Sequence, residues 1–515
     1  MIPFLLTLIV FTLQGQSGTS SIEGVVVISG TSRPVARSHV TVVGPRLAQI
    51  DADEDGHFAI QDLQPGKYRI LATRGGYTTG QYGQQTRARG TDIDLGPAQQ
   101  MKDIVIGLVP QGVISGRVSD PNGDPIANAD VQALKYTYQD GRRILVLAAN
   151  ARTNGRGDYE FSLAPDPYIV RAQSTSDRET HLPVYFPGTT DASSASSVDL
   201  RAGFNFTGVD IRLVDTRAVR IRGKLMNGLT GEAVVGAGIT LLPHRGTVAT
   251  GSTQHVVSSG GGIFEFRQMA PGSYDIVSSV PNASTKLAAA IPIEVGSADI
   301  DDISLMLQPQ LTINGKVEIE NQSAMNRDLS SIRVELRREP FTPELLVLLP
   351  NVAPDGTFTL SGVTPGEYQL KVKAGRNGYV KMARFGTVDA LNPPFYIDAR
   401  QTQLDIMISP NAGTVDAIVL DDKLKPILDA TVVLVPEAPR RNRADLYEAK
   451  GTDSTGQAHL TDIEPGDYRV FAWDDIPADA WLDADFIRPY ESRGKLVHVS
   501  EGSVATVQVD LISRP

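Results

Sequence analysis

A short segment built around one tyrosine recurs five times along this chain and limits what the chain can fold into. Each copy has an alternating apolar stretch, then a turn, then the tyrosine, and the five tyrosines stand 100, 106, 94 and 100 residues apart. They are Tyr68, Tyr168, Tyr274, Tyr368 and Tyr468. A repeat of this length predicts an array of similar domains rather than one core shared by all 515 residues.

Apolar residues inside each repeat alternate with a period of two. Phe58 and Ile60 would share one face of a strand, and Tyr68 and Ile70 one face of the next. This pattern is typical of half-buried strands, and the Pro-Gly pair before four of the tyrosines is typical of a turn. A tyrosine at the start of a late strand is also found in immunoglobulin-like sandwiches. We therefore predict an all-β protein of five tandem immunoglobulin-like or prealbumin-like β-sandwich domains in an extended array, with helix confined to residues 343–349 and 475–490.

The strings that open and close each repeat place the domain boundaries. An Ile-x-Gly string opens four repeats, and a short alternating strand closes each of the five. In the fifth repeat the opening string drifts to Val415-Asp416-Ala417. The predicted domains are residues 22–109, 110–215, 216–308, 309–409 and 410–515.

Residues 1–21 precede the first domain and carry one apolar run, from Ile2 to Leu13. The run is too short to span a bilayer, which takes ~20 residues, and small and polar residues follow it. This favours a secretory signal peptide, with a buried first strand or a misplaced start codon as the alternatives. We expect an exported protein, located in the periplasm, at the cell surface or outside the cell, with no membrane span beyond this segment.

Composition and charge exclude several classes of protein. The chain has no cysteine, which rules out disulfide frameworks, zinc–cysteine sites, thiol nucleophiles and a cysteine-linked lipid anchor. Its formal net charge is −11, whereas nucleic-acid binding needs a positively charged face. We therefore expect no nucleic acid among its partners.

One repeat carries a recognisable family motif. In the second repeat a Gly-x-Pro-Ile-x-x-Ala-x-Val string at residues 123–131 is followed by Gly-x-Tyr at residues 157–159. With this motif the repeat resembles the carboxypeptidase regulatory-like domain, which implies a transthyretin-like (prealbumin-like) sandwich grouped with carbohydrate-binding-like and Cna B-type folds. The tandem arrangement and the C-terminal segment resemble exported multidomain proteins of soil bacteria such as acidobacteria.

The resemblance implies a non-catalytic domain, because this domain accompanies metallocarboxypeptidases without forming their zinc site. The pair His498 and Glu501 is the one match to His-x-x-Glu, and no histidine follows it. Catalytic zinc takes three protein ligands. Gly-x-Ser-x-Gly and the phosphate-binding glycine motifs are also missing. We expect no catalytic residue, no metal site and no cofactor.

An acidic stretch from Asp51 to Asp62 matches part of the spacing of a calcium-binding EF-hand loop. The flanks read as strands rather than helices, and the other repeats keep the glycine of Gly56 at this place but not the acids. We interpret the stretch as a tight turn. A weak calcium site made by Asp51, Asp53 and Asp55 is the alternative.

The segment from Phe471 to Tyr490 has the most unusual local composition, with both tryptophans of the chain among several aspartates. Aromatic faces beside acids are a common means of holding sugar rings. Trp473, Trp481 and Tyr490 are therefore the candidate ligand-binding residues. The alternative is a lid whose aromatic side chains pack on the sandwich. The strand pattern predicts that the Trp473 side chain packs against its neighbours, whereas the flanking Ala and Asp residues favour exposure of Trp481.

These features predict a non-catalytic exported binding or scaffold protein, with carbohydrate as the ligand implied by the family resemblance. A polysaccharide or another component of the cell envelope is the expected partner. The alternative is a structural stalk or adhesin-like spacer with no specific small ligand. The sequence leaves the ligand and the oligomeric state open.

Overall fold

The computed structural model describes most of the chain, in eleven segments. They are residues 20–84, 90–174, 182–214, 219–243, 253–280, 286–321, 329–339, 351–375, 378–392, 394–421 and 423–513. The N-terminal apolar run and the helix expected at residues 343–349 lie outside these segments. The described residues divide into two compact units. The first holds those up to Val113 together with Ser162–Asp166 and Leu200–Asn205, and the second holds the rest.

The first repeat is a sandwich of two sheets. One sheet has the strand order β4-β1-β8, and the other has the order β3-β2-β5-β6 with β7 beside β5. Strands β1 and β8 run parallel, whereas β1 and β4 run antiparallel. The strands are β1 (Ser20–Ile28), β2 (His39–Val43), β3 (Ala48–Asp51), β4 (His57–Leu63), β5 (Gly66–Thr73), β6 (Gly80–Gln81), β7 (Ile93–Leu95) and β8 (Gln100–Leu108).

The second repeat has the same plan with one longer hairpin. One of its sheets has the order β11-β10-β13-β14, and β17 runs parallel to β9 in the other. A 3-10 helix spans Ala192–Ser194. The strands are β9 (Gly112–Ser119), β10 (Asp130–Gln139), β11 (Arg142–Arg152), β12 (Asp158–Leu163), β13 (Asp166–Gln173), β14 (Val184–Tyr185), β15 (Ser197–Leu200), β16 (Asn205–Phe206) and β17 (Ile211–Arg212).

The third repeat closes its two faces into one continuous sheet. The order is β20-β19-β22-β23-β24-β18-β21, because β23 pairs with both β22 and β24. A 3-10 helix spans Gly260–Gly262. The strands are β18 (Val219–Asn227), β19 (Gly238–Pro243), β20 (Gln254–Val257), β21 (Ile263–Met269), β22 (Gly272–Val280), β23 (Leu287–Val295) and β24 (Ile300–Pro309).

The fourth repeat returns to two separate sheets. Their orders are β27-β25-β32-β29-β30 and β26-β28-β31. A 3-10 helix spans Leu329–Ser331. The strands are β25 (Leu311–Ile319), β26 (Arg333–Glu339), β27 (Thr357–Val363), β28 (Gly366–Lys373), β29 (Tyr379–Phe385), β30 (Val388–Asp389), β31 (Phe395–Ile397) and β32 (Gln403–Ser409).

The fifth repeat adds a helical excursion to a sheet of order β35-β34-β37-β39-β33-β36, with β38 beside β37. The strands are β33 (Gly413–Leu420), β34 (Thr431–Pro436), β35 (Glu448–Gly451), β36 (Gln457–Ile463), β37 (Gly466–Trp473), β38 (Lys495–Val499) and β39 (Val504–Ile512). The helical pieces are the helix α1 (Ala484–Ile487) and 3-10 helices at Arg440–Asn442, Ala444–Leu446, Ala480–Leu482 and Arg488–Arg493. The three pieces between Ala480 and Arg493 lie within or beside residues 475–490, where the sequence predicts helix.

The repeated tyrosine forms a hydrogen-bonded corner in the third, fourth and fifth repeats, whereas the Tyr68 hydroxyl of the first repeat is buried without a hydrogen-bond partner. The hydroxyls of Tyr274, Tyr368 and Tyr468 each donate to the carbonyl oxygen four residues earlier, at 3.0, 2.9 and 2.7 Å. The Pro-Gly turn before the tyrosine needs glycine, since Gly66 and Gly466 have φ of 148° and 147°. The turn, together with the corner bond in three of the repeats, therefore explains why this short string recurs.

Each repeat packs its own apolar face. The core around Tyr68 uses residues from Ile22 to Leu108, and the core around Tyr468 uses residues from Val415 to Val509. Strand β4 shows the cause, because Phe58, Ile60 and Leu63 point inward while the residues between them are exposed. The prediction of an all-β chain of repeated β-sandwiches is confirmed.

Candidate functional site

The aromatic segment of the fifth repeat forms a second apolar layer outside the sandwich core. Along β37, Tyr468, Val470 and Ala472 face the main core, whereas Phe471 and Trp473 point to the other side of the sheet. We call the group on that side the outer cluster. It contains the buried residues Val433, Val435, Phe471, Trp473, Ile487 and Ile512 and the partly buried Tyr447, Ile476, Trp481, Phe486 and Tyr490.

Trp473 is the centre of the outer cluster and has 1% of its surface exposed. Its ring stacks on Phe471 at a centroid distance of 5.2 Å and an interplanar angle of 22°. Tyr490 meets it edge-on at 5.7 Å and 89°. The expected packing role of Trp473 is confirmed, because a side chain enclosed in this way has no open face to stack on a sugar ring.

Trp481 and Tyr490 lie at the rim of the outer cluster and are half-buried. Trp481 is only partly exposed, less than its Ala and Asp neighbours led us to expect. Its 3-10 helix, Ala480–Leu482, begins after Asp479, whose φ of 63° reverses the chain and brings the indole back onto the sheet. The structure therefore brings Trp473, Trp481 and Tyr490 into one cluster, and each of them takes part in packing.

The acids of this segment take part in local contacts. The carboxylate of Asp483 caps helix α1 by accepting from the Asp485 amide at 2.9 Å, and Asp485 pairs with Arg488. Nearby, Asp467 lies 2.7 Å from the His498 ring. These contacts explain much of the acidic composition without a ligand.

A β-hairpin from the second repeat reaches this segment. The ring of Tyr138, at the end of β10, packs edge-on against Phe486 at 5.8 Å and 74°. The backbone amide of Asp140 donates to the Asp479 carboxylate at 3.2 Å. The sequence predicts five repeats in line, and in such an array the second repeat would not contact the fifth as it does here.

The same hairpin also contacts the fourth repeat through charged side chains, of which those on the fourth repeat are buried and those on the hairpin are partly exposed. The Arg337 guanidinium, in a residue that is 8% exposed, donates two hydrogen bonds to the Asp140 carboxylate, one of them at 2.9 Å. These bonds hold the pKa of Asp140 below its usual value. Arg142 lies 3.9 Å from Glu339, which is 7% exposed. The Asp-Gly turn at Asp140 signals a hairpin in the sequence, but nothing local identifies its partners.

A polar groove of about 610 Å³ lies on the second repeat. Its charges are committed to one another, since Arg117 donates through Nε to Asp158 and through its amide to Asp210, both at 2.9 Å. The Tyr159 hydroxyl donates to the Val209 carbonyl at 2.5 Å, and burial raises the pKa of Tyr159. These contacts hold the strands together.

The acidic stretch of the first repeat forms a turn organised by one side chain. The Asp53 carboxylate accepts from the amides of Asp55 and His57 at 2.9 and 2.8 Å. In the second repeat Asn154 accepts from the two amides at the same places, at 2.8 and 3.0 Å. The turn interpretation agrees with this geometry, because the uncharged side chain of Asn154 accepts the same two hydrogen bonds as the Asp53 carboxylate. The side chain at this place therefore organises the turn without needing the negative charge that would attract calcium.

The turn interpretation predicts how Asp53 responds to substitution and to calcium. We expect Asp53→Asn to leave the thermal stability unchanged, and Asp53→Ala to cost about 1 kcal/mol because two amides lose their acceptor. Adding calcium should not shift the melting temperature of any of these proteins. A calcium-dependent rise in the original protein that disappears in Asp53→Asn would show that the stretch binds the ion.

The histidine and glutamate that fit His-x-x-Glu do not converge on one point. His498 pairs with Asp467, whereas Glu501 accepts a hydrogen bond from the Tyr379 hydroxyl at 2.5 Å. In the described segments, no three acidic or histidine side chains group around a place for a metal ion. The same segments contain no helix long and apolar enough to cross a membrane.

Comparison with known proteins identifies two of the repeats. Residues 21–101 and 113–214 match the carboxypeptidase regulatory-like domain. No curated protein matches the sequence.

Several solved structures of bacterial proteins are similar to this chain. The Bacillus anthracis TIE protein is 11% identical with a TM-score of 0.16, over 72% of this chain and 65% of that one. A streptococcal ancillary pilin is 9% identical with a TM-score of 0.20, over 56% and 99%. BcpA, the major pilin subunit of Bacillus cereus, is 10% identical with a TM-score of 0.15, over 56% and 100%. Identities and TM-scores this low carry no information about function.

The family match covers the repeat in which the motif at residues 123–131 was found, and it extends to the repeat before it. The sandwich topology, the buried corner tyrosines and this match agree. The chain is a tandem β-sandwich protein whose first two repeats match the carboxypeptidase regulatory-like domain.

Proposed function

We propose that this protein is a non-catalytic scaffold or stalk, exported to the periplasm, the cell surface or the medium. The observation that carries the proposal is the internal use of the aromatic segment. Trp473 is enclosed, Trp481 and Tyr490 pack at the rim, and Phe486 contacts Tyr138 of another repeat. The part of the chain best suited to bind a ligand is thus committed to holding the protein together.

The ionisable groups with catalytic potential support the same proposal. Three exposed histidines pair with aspartates: His39 with Asp51, His459 with Asp416, and His498 with Asp467. In each case the two residues stand directly opposite each other on neighbouring strands. Cross-strand pairs of this kind stabilise sheets, so we assign these groups a structural role.

A dense charge network in the fifth repeat is also structural. Arg443 is buried and pairs with Asp445 and Glu464, and Arg440 bonds Glu464 while lying over the Tyr468 ring at 4.9 Å. The network fastens the 3-10 helices to the tyrosine corner. A scaffold needs this kind of rigidity, because each repeat must hold its shape with a small core of its own.

Polysaccharide binding through Trp481 and Tyr490 is the second candidate function. The observation in its favour is that both side chains remain partly exposed beside acidic residues at the rim of the outer cluster. A component of the cell envelope would be the natural ligand of an exported protein. Export itself rests on the apolar run at residues 2–13, which is a prediction from the sequence.

A glycan array with the purified protein separates the two functions. We expect no glycan to bind above background, and Trp481→Ala to change nothing in the array. Tyr396→Ala is the matched control, because Tyr396 is 61% exposed on the fourth repeat, outside the outer cluster. Binding that is lost in Trp481→Ala and kept in Tyr396→Ala would replace the scaffold proposal with polysaccharide binding.

A further inference from the structure

We propose that the tip of the β10–β11 hairpin, residues 138–143, is an intramolecular latch. It fastens the second repeat to the fourth and fifth repeats and covers part of the outer cluster. This goes beyond a scaffold of independent repeats. The second, fourth and fifth repeats, which belong to the second compact unit, would be coupled, so that a change in one alters the stability of the contacts in the others.

The strands of this hairpin are longer than those of the matching hairpins in the first and fifth repeats. Strands β10 and β11 have 10 and 11 residues, whereas β2 and β3 have 5 and 4, and β34 and β35 have 6 and 4. At ~3.3 Å per residue, the additional residues lengthen the hairpin by roughly 15–20 Å. The extension carries the tip of the hairpin to its contacts with the fourth and fifth repeats.

The base of the hairpin is anchored in its own repeat. Leu134, Ile169, Tyr185 and Ala192 form a small buried cluster, and Tyr136 and Leu145 pack against it. The Arg143 guanidinium lies 3.6 Å from the centre of the Tyr136 ring. The hairpin is therefore a stiff arm rather than a loose loop, and its tip is presented in a defined place.

The tip has the shape that the contact needs. Asp140 and Gly141 have φ of 51° and 73°, the conformation of a two-residue hairpin turn in which glycine is favoured at the second place. A Cβ atom at Gly141 would lie 2.6 Å from Cβ of Leu482. Glycine thus allows both the tight turn and the close approach to the fifth repeat.

The charges of the tip complement those of strand β26. Asp140 faces Arg337, and Arg142 faces Glu339, so that both strands place opposite charges two residues apart. Both partners on β26 are buried. Asp140 and Arg142 are themselves partly exposed, so reversing one of these charges would place like charges together at a buried residue of β26, which is destabilising. The latch is accordingly specific, and reversing one charge should open it.

Charge reversal with hydrogen-exchange mass spectrometry tests the latch. We expect Asp140→Arg and Arg337→Asp each to speed up amide exchange in residues 138–143 and 479–486 by on the order of 10-fold, as expected when like charges meet at a half-buried contact. The double variant, with the charges exchanged, should restore most of the protection. Arg37→Asp is the matched control, since its pair with Glu54 is exposed and should matter little. Unchanged exchange in both single variants would overturn the latch.

A second measurement keeps the test valid where a reversed variant does not fold. In Arg337→Lys the positive charge remains, and a carbodiimide can join the new amine to the Asp140 carboxylate with no spacer. We expect a cross-linked peptide pair containing positions 140 and 337. Folded protein that yields no such cross-link would show that the contact does not form in solution and would overturn the proposal.

Discussion

Replacing Trp473 with alanine is expected to destabilise the fifth repeat by about 3–5 kcal/mol, the usual cost of truncating a large buried aromatic side chain. The indole has 1% of its surface exposed and touches Phe471, Phe486 and Tyr490. Its removal would leave a cavity that the sheet beneath cannot collapse to fill. The loss should be larger than for any exposed aromatic residue.

The measurement is denaturant unfolding followed by the fluorescence of Trp481, which is then the one tryptophan left in the chain. This signal isolates the fifth repeat in a protein whose repeats need not unfold together. Trp473→Phe is the conservative comparison and should cost less, because it keeps part of the stacking on Phe471. A loss within about 0.5 kcal/mol, as for a surface substitution, would contradict the packing role of Trp473.

Gly24→Ala is expected to destabilise the first repeat by about 1–3 kcal/mol, the cost of forcing extra volume into a packed site. A Cβ atom at Gly24 would lie 2.1 Å from the carbonyl oxygen of Ile104 on the neighbouring parallel strand. That oxygen belongs to the backbone, so it cannot rotate away as a flexible side chain would.

The physical cause is a bulge in strand β8. Ile22 is opposite Met101 and Gly24 is opposite Ile104, so β8 carries an extra residue here, and Asp103 has φ of 61°. In the fifth repeat Ala417 stands at the matching place, and β33 pairs with β39 without such a shift. Alanine therefore fits at this place in the fifth repeat. The fourth repeat has no bulge here but keeps Gly315, because a Cβ atom would lie 2.0 Å from the Phe358 ring.

Gly75→Ala is the matched control for Gly24→Ala. Gly75 lies in the same repeat, and a Cβ atom there would meet nothing within 4 Å. Thermal unfolding followed by circular dichroism should show a lower transition for Gly24→Ala and no loss for Gly75→Ala. Equal melting temperatures for the two variants would show that the backbone of β8 moves to accommodate the added methyl group, and would contradict the prediction.

Local features of the fold follow from short strings in the sequence. The Pro-Gly pair before Tyr468 and the Asp or Asn at the turn of Asp53 act on neighbours within four residues. Strand faces also follow, because alternation along β37 puts Trp473 opposite Tyr468. Interactions this close in sequence are encoded by the residues themselves.

The local composition of the sequence located the candidate site, but it did not predict that Trp481 packs on the outer cluster. Trp481 has Ala and Asp beside it, which favours exposure, yet the positive φ of Asp479 turns it onto the outer cluster. Whether a side chain at a turn is exposed depends on where the turn directs the chain. That direction depends on packing against Val433 and Ile512, which are distant in sequence.

The sequence by itself determined the repeat, the strand pattern, the corner tyrosines and the family of the second repeat, because each of these rests on neighbouring residues. Only the tertiary structure decided that glycine at residue 24 faces a bulge, and that the hairpin at Asp140 meets Arg337, 197 residues away. A contact between such distant residues leaves no periodic or local pattern, since its energy comes from two surfaces that become neighbours only after each repeat has folded.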